Sequence, residues 1–155
     1  MSGVLRDVTV LDLTRQFCAA LSAAFLGDFG ARVIRLELSP ADRSEATGRW
    51  NHEADLIHRN KLSVALNPAT PRGREVLAAL AAKADVLVTD WQPDELAAIG
   101  LDYAGASAQR PDIVFARLSG FGPDGPDKDL PAIDELAAAR TGAMPPIAQH
   151  RPSTP

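Results

Sequence analysis

The sequence predicts an α/β fold, a mostly parallel sheet with helices on both faces, and three observations predict it. Short β-branched runs alternate along the chain with helical patterns. The runs are apolar on both faces, as expected of strands covered from both sides. The segments between several of them carry apolar residues at helical spacing.

The first run is "VTVLDL" at 8–13. After it Phe17, Leu21, Ala24 and Phe25 recur at helical spacing, and Gly27 and Gly30 end the segment. The second run, "RVIRLEL" at 32–38, leads into a polar stretch from Ser39 to Ile57 that exceeds ordinary connection lengths and is a candidate lid or pocket wall. The third run, "LSVAL" at 62–66, is followed by Thr70 as N-cap and Pro71 at the first helical position. Val76, Leu77, Leu80 and Ala81 then form one apolar stripe that ends near Lys83. The fourth run, "DVLVTD" at 85–90, precedes a short helix opened by Pro93-Asp94 and closed by Gly100. The fifth is "DIVFARLS" at 112–119, after which Asp134 falls in a final helix. The expected organisation is one domain over 1–144, with a proline-rich tail or linker over 145–155.

Composition narrows the function. Of the 155 residues 46% are hydrophobic and 23% charged, enough for one domain with an ordinary core. A net charge of -4 and the lack of any Lys/Arg stripe argue against a nucleic-acid partner. The longest apolar stretch is interrupted by Gly27, Asp28, Gly30 and Arg32, so no membrane span is expected. The start has no basic, apolar export signal, which makes cytoplasmic residence the expectation. His52, His58 and His150 lack metal-ligand spacing, so no metal site is expected. Cys18 has no matched base in sequence and reads as a buried structural thiol, while Asp12, Asp28 and Asp134 read as caps or solvated charges.

"GFGPDG" at 120–125 satisfies G-x-G-x-x-G through Gly120, Gly122 and Gly125. A dinucleotide site needs a helix opening inside the glycines, so that its amides meet the pyrophosphate. Pro123 and Pro126 oppose that helix, which leaves a glycine-rich loop at a strand's carboxyl end as the better reading.

Six segments in order, "VTVLDLTR" (8–15), "FLGDFGARVIRLE" (25–37), "RNKLSVALN" (59–67), "TPRGREVL" (70–77), "ADVLVTDWQPDELAAIGLDY" (84–103) and "LSGFGPDGP" (118–126), resemble the amino-terminal part of family III CoA-transferases. This is the CaiB/BaiF group, which includes formyl-CoA transferase and the α-methylacyl-CoA racemases. The resemblance implies the amino-terminal half of the large, Rossmann-like domain, with CoA held at the carboxyl ends of the strands. It implies that Asn60 and Lys61 lie beside the nucleotide with the lysine ammonium facing phosphate, that Gln16, Phe17 and Cys18 wall the cleft, and that Asp90 and Trp91 lie along the pantetheine arm. Gly120, Gly122 and Asp134 would lie near the active site.

The same resemblance implies no tightly bound cofactor, coenzyme A or an acyl-CoA as substrate, a carboxylic acid as second substrate, and a homodimer of the full-length protein. Three cations frequent in the family are replaced here, by Leu38, Leu62 and Ala98. The family nucleophile is an aspartate in a Gly-Asp segment after the stretch matching 131–155, so no catalytic residue is expected here and the chain alone should be inactive. Ile133 stands where the racemase branch carries a histidine, which makes racemase chemistry the weaker alternative. A non-catalytic module for assembly or ligand holding is the other.

Overall fold

The computed structural model describes residues 3–37, 56–130 and 132–143. It divides into two compact units, residues 1–117 and 118–155, and the expected tail lies outside the described residues.

In the first unit, strands β1 (Thr9–Leu13), β2 (Arg32–Glu37), β3 (Lys61–Ala65), β4 (Val86–Thr89) and β5 (Val114–Arg117) form one sheet in the order β3-β2-β1-β4-β5. Every adjacent pair is parallel, as the two-faced apolar runs require. Helix α1 (Phe17–Asp28) links β1 to β2, and α2 (Pro71–Ala81) links β3 to β4. Two short helices, α3 (Pro93–Ala98) and α4 (Tyr103–Gln109), lie between β4 and β5.

Alternate side chains of the strands point to opposite faces. On one face Leu11, Leu13, Ile34 and Leu87 pack with Leu77 of α2 and Leu96 of α3. The other face carries Val10, Asp12, Val33 and Val88, all buried, on the side of α1. Here the expected stripe needs correction. The buried residues of α1 are Ala19, Ala20, Ala23 and Ala24, whereas Phe25 is 49% exposed. Alanines let the helix axis lie close to the strands, so the small residues take the inner face and the aromatic ring is left outside.

Helix α2 starts as the sequence indicates. The Thr70 hydroxyl accepts from the Gly73 N–H at 3.0 Å, and Pro71 occupies the first turn, where no amide partner is missed. Helix α4 was not anticipated. Asp102 caps it by accepting from the Gly105 N–H at 3.0 Å, but its residues, "YAGASAQ", carry too weak an apolar pattern to announce a helix.

The second unit holds α5 (Asp134–Thr141), which ends at Gly142 in the left-handed conformation, φ 75°. An Asp127–Arg140 ion pair ties this helix to the preceding loop. Gly122 and Gly125 also have positive φ, and no helix opens within 120–130. The dinucleotide reading therefore lacks the helix it needs.

Candidate functional site

The strand order reverses between β1 and β4, and in open α/β sheets ligands bind outside the carboxyl ends of the strands at that point. Two loops meet there, Thr14–Gln16 after β1 and Asp90–Gln92 after β4. Their shape is set by two aspartates. Asp12 Oδ1 accepts from the Thr14 N–H at 3.0 Å and from the Thr14 hydroxyl at 2.6 Å. Asp90 accepts from the Arg15 N–H at 2.9 Å and the Gln16 N–H at 2.7 Å. Burial pushes the Asp90 carboxyl up from its ordinary pKa, although those two amides pull the other way.

Asp12 is also one end of a buried ion pair. Lys61 Nζ lies 2.7 Å from Asp12 Oδ2 and donates to the Ala20 carbonyl at 2.7 Å, with side-chain exposures of 1% and 0% for the lysine and aspartate. Burial depresses the Lys61 pKa and the Asp12 charge opposes that shift. Asp12 is thus neither a cap nor solvated, and its partner stands 49 residues away in the chain. Its only signal was a carboxylate inside an apolar strand, which demands a buried counter-charge.

Beside the β1 loop, the Arg15 guanidinium lies 3.7 Å above the Trp91 ring centre and 2.8 Å from Glu95 Oε1. Glu95 also accepts from the Gln92 N–H at 3.0 Å; burial raises its pKa, but these donors outweigh it and hold the carboxyl below the ordinary value. Trp91 is buried, and its Nε1 has no hydrogen-bond partner among the described residues.

The far end of α1 forms a second cluster. Asn60 adopts φ 61°, in the left-handed region that asparagine tolerates, and donates to Asp28 Oδ1 at 3.0 Å. Arg59 grips the same carboxylate, its Nε 3.1 Å from Oδ1, and its hydrogen bond holds the Asp28 pKa down against a smaller opposing effect of burial. Next to it, His58 has a buried Nδ1 with no partner among the described residues. Burial, then the charges of Arg35 and Lys61, lower its pKa from 6.5 to about 4.

The sign of the His58 effect follows. Between pH 6.5 and about 4 the unfolded chain binds a proton that the folded chain refuses, so stability falls as pH falls through that window. An NMR titration should show the His58 imidazole neutral over the upper part of that window and taking up its proton only near pH 4, and His58→Gln should flatten that part of the stability–pH curve.

The residues expected at one cleft therefore separate. Gln16, Asp90 and Trp91 converge at the switch point, with Phe17 and Cys18 in the first turn of α1. Cys18 is exposed, which corrects its reading as a buried thiol. Asn60 stands at the opposite end of α1, and Lys61 opens β3 instead of closing it, so Lys61 is not on the carboxyl-terminal rim. Its ammonium faces Asp12 and not a cleft. In the second unit, Gly120 is closely packed on Ala132, and Asp134 is exposed at the start of α5. The 39–57 stretch proposed as a lid lies, but for its last residues, outside the described residues. Among the described residues no group of acidic, histidine or cysteine side chains could hold a metal, and no helix is long and apolar enough to cross a membrane.

Residues 5–153 match the model of CoA-transferase family III. The chain is 32% identical over 152 residues to a cinnamoyl-CoA:phenyllactate CoA-transferase of Clostridium sporogenes, covering 92% of this chain and 37% of that protein. It is 34% identical over 146 residues to the human succinyl-CoA:glutarate CoA-transferase, covering 90% of this chain and 33% of that one. The fold is similar to the crystal structure of a CaiB/BaiF family protein from Brucella suis, with a TM-score of 0.80 and 27% identity over 93% of this chain and 40% of the other. The chain thus spans well under half the length of these relatives.

Proposed function

Because the chain belongs to CoA-transferase family III, we propose that it is the CoA-binding, amino-terminal part of an enzyme that moves CoA from an acyl-CoA to a carboxylic acid. The observation that carries this reading is the convergence of Gln16, Asp90 and Trp91 at the carboxyl ends of β1 and β4, where an open parallel sheet receives its ligand. The thioester end of CoA would lie against Gln16, Phe17 and Cys18. Its pantetheine arm would run past Asp90, and could lie on the Trp91 ring only after the Arg15 guanidinium moves aside.

Asn60 suits the distal, nucleotide end of the same ligand. The 12 residues of α1 separate it from Gln16, about 18 Å at the helical rise, a span that calls for a long molecule. In this reading the segment binds and orients CoA, and the covalent steps through aspartyl intermediates belong to a carboxylate that is not among the described residues. Dimerisation of the full-length protein belongs to the same proposal.

A second reading, a divergent module that holds the scaffold without catalysis, draws on one observation. The Lys61 ammonium is spent inside the fold, and the exposed Leu62 and Ala98 offer no cation in its place. Calorimetry with CoA separates the two. Micromolar binding by the 155-residue chain is the expected result, and no heat at millimolar CoA would overturn the CoA-binding reading in favour of the module.

A further inference from the structure

We infer that Lys61 is a positioning residue for the β1–α1 loop: acting through Asp12, its ammonium fixes where Thr14, Arg15 and Gln16 stand at the switch point. Where the loop is taken to face CoA, this rests on the function proposed above; the mechanical part does not.

The geometry requires a long reach. Lys61 shares a row of the sheet with Val33 and Val10, while Asp12 lies two residues further along β1. The side chain therefore crosses the width of β2, beneath α1, before it meets its partner. At the end of that reach Nζ makes two contacts of 2.7 Å, one to Asp12 Oδ2 and one to the Ala20 carbonyl of α1. One ammonium thereby fastens an edge strand, the central strand and the helix that leaves the loop.

The carboxylate then passes the constraint on. With Oδ2 held by Lys61, the rotation of the Asp12 carboxyl is fixed, and Oδ1 is presented to both donors of Thr14. Thr14 is the first residue of the loop, and the next two amides close on Asp90. Strength alone does not account for such a pair, because the cost of desolvating two ions offsets much of their attraction, and an apolar pair of similar size often serves stability as well. What an apolar pair cannot do is orient Oδ1.

That difference makes the test. In the double variant Asp12→Leu/Lys61→Met the fold should persist with a denaturation midpoint close to the parent. Hydrogen exchange at the Thr14, Arg15 and Gln16 amides should nonetheless quicken by roughly tenfold or more, while amides of Val33 and Leu87 keep their protection. Affinity for CoA should fall by roughly tenfold or more in parallel. A folded double variant with parental exchange at 14–16 would overturn the inference. Should the double variant not fold, Thr14→Val decides: it leaves the ion pair intact, removes one of the two donors to Oδ1, and must speed exchange at 15 and 16, with no change refuting the relay. If the parent chain itself binds no CoA, the proposed function fails while the exchange data still judge the Lys61–Asp12 relay.

Discussion

Replacing Lys61 alone with methionine is expected to destabilise the chain by about 3–5 kcal/mol. The ammonium is removed but the Asp12 carboxylate stays, fully buried, with only Thr14 among the described residues left to donate to it. A buried charge stripped of its partner suffers the whole desolvation penalty, and the methionine, though close in volume, supplies nothing to Oδ2. Urea denaturation should show the midpoint falling steeply at an unchanged slope. The control is the exposed Arg72–Glu75 pair on α2, whose side chains are 84% and 65% accessible; Arg72→Ala should shift stability by less than about 1 kcal/mol. A loss from Lys61→Met no larger than that of the control would refute the buried-pair account.

The second large effect is expected at Gly73. A glycine within a helix would ordinarily be improved by alanine, by about 1 kcal/mol of helix propensity. Here the added Cβ would stand 1.8 Å from the Asn67 carbonyl oxygen and 2.6 Å from its carbon. Those are main-chain atoms, held by the Thr70 N–H and hydroxyl at 3.2 and 2.9 Å, so the turn cannot yield without losing the helix cap. Gly73→Ala should therefore destabilise, by about 2–3 kcal/mol after the propensity gain is subtracted. A thermal melt of this variant that matches or exceeds the parent would contradict the close approach.

The contrast at Gly73 shows where the sequence is legible. Strands and long helices announce themselves because their periodicity is local, and the parallel sheet follows from runs that are apolar on both faces. Thr70 and Pro71 announce α2 for the same local reason. Contacts between residues far apart in the chain carry no such signal. Asp12 and Lys61 are 49 residues apart, and Arg15 and Asp90 are 75 apart, so neither pairing has any period to detect. The alanine face of α1 misleads in another way: small residues score weakly as apolar, yet they win the inner position because they allow closer packing than Phe25. The family resemblance directs attention to the carboxyl ends of the strands, where the strand order reverses. The direction of the Lys61 side chain was not legible, because a lysine beside a strand reads equally as a phosphate ligand or as the partner of a hidden acid.

The three amides after β1 have a consequence for anion recognition. In nucleotide folds, main-chain N–H groups at this corner grip a pyrophosphate directly. In this chain Asp12, its charge balanced by Lys61, and Asp90 already sit on them, so the Asp90 carboxylate gives the corner its own negative charge. Under the proposed function, a polyanion arriving here would meet the Asp90 carboxylate, its phosphates would be steered outward, and the neutral, thiol-bearing end of the molecule would be the part this corner admits.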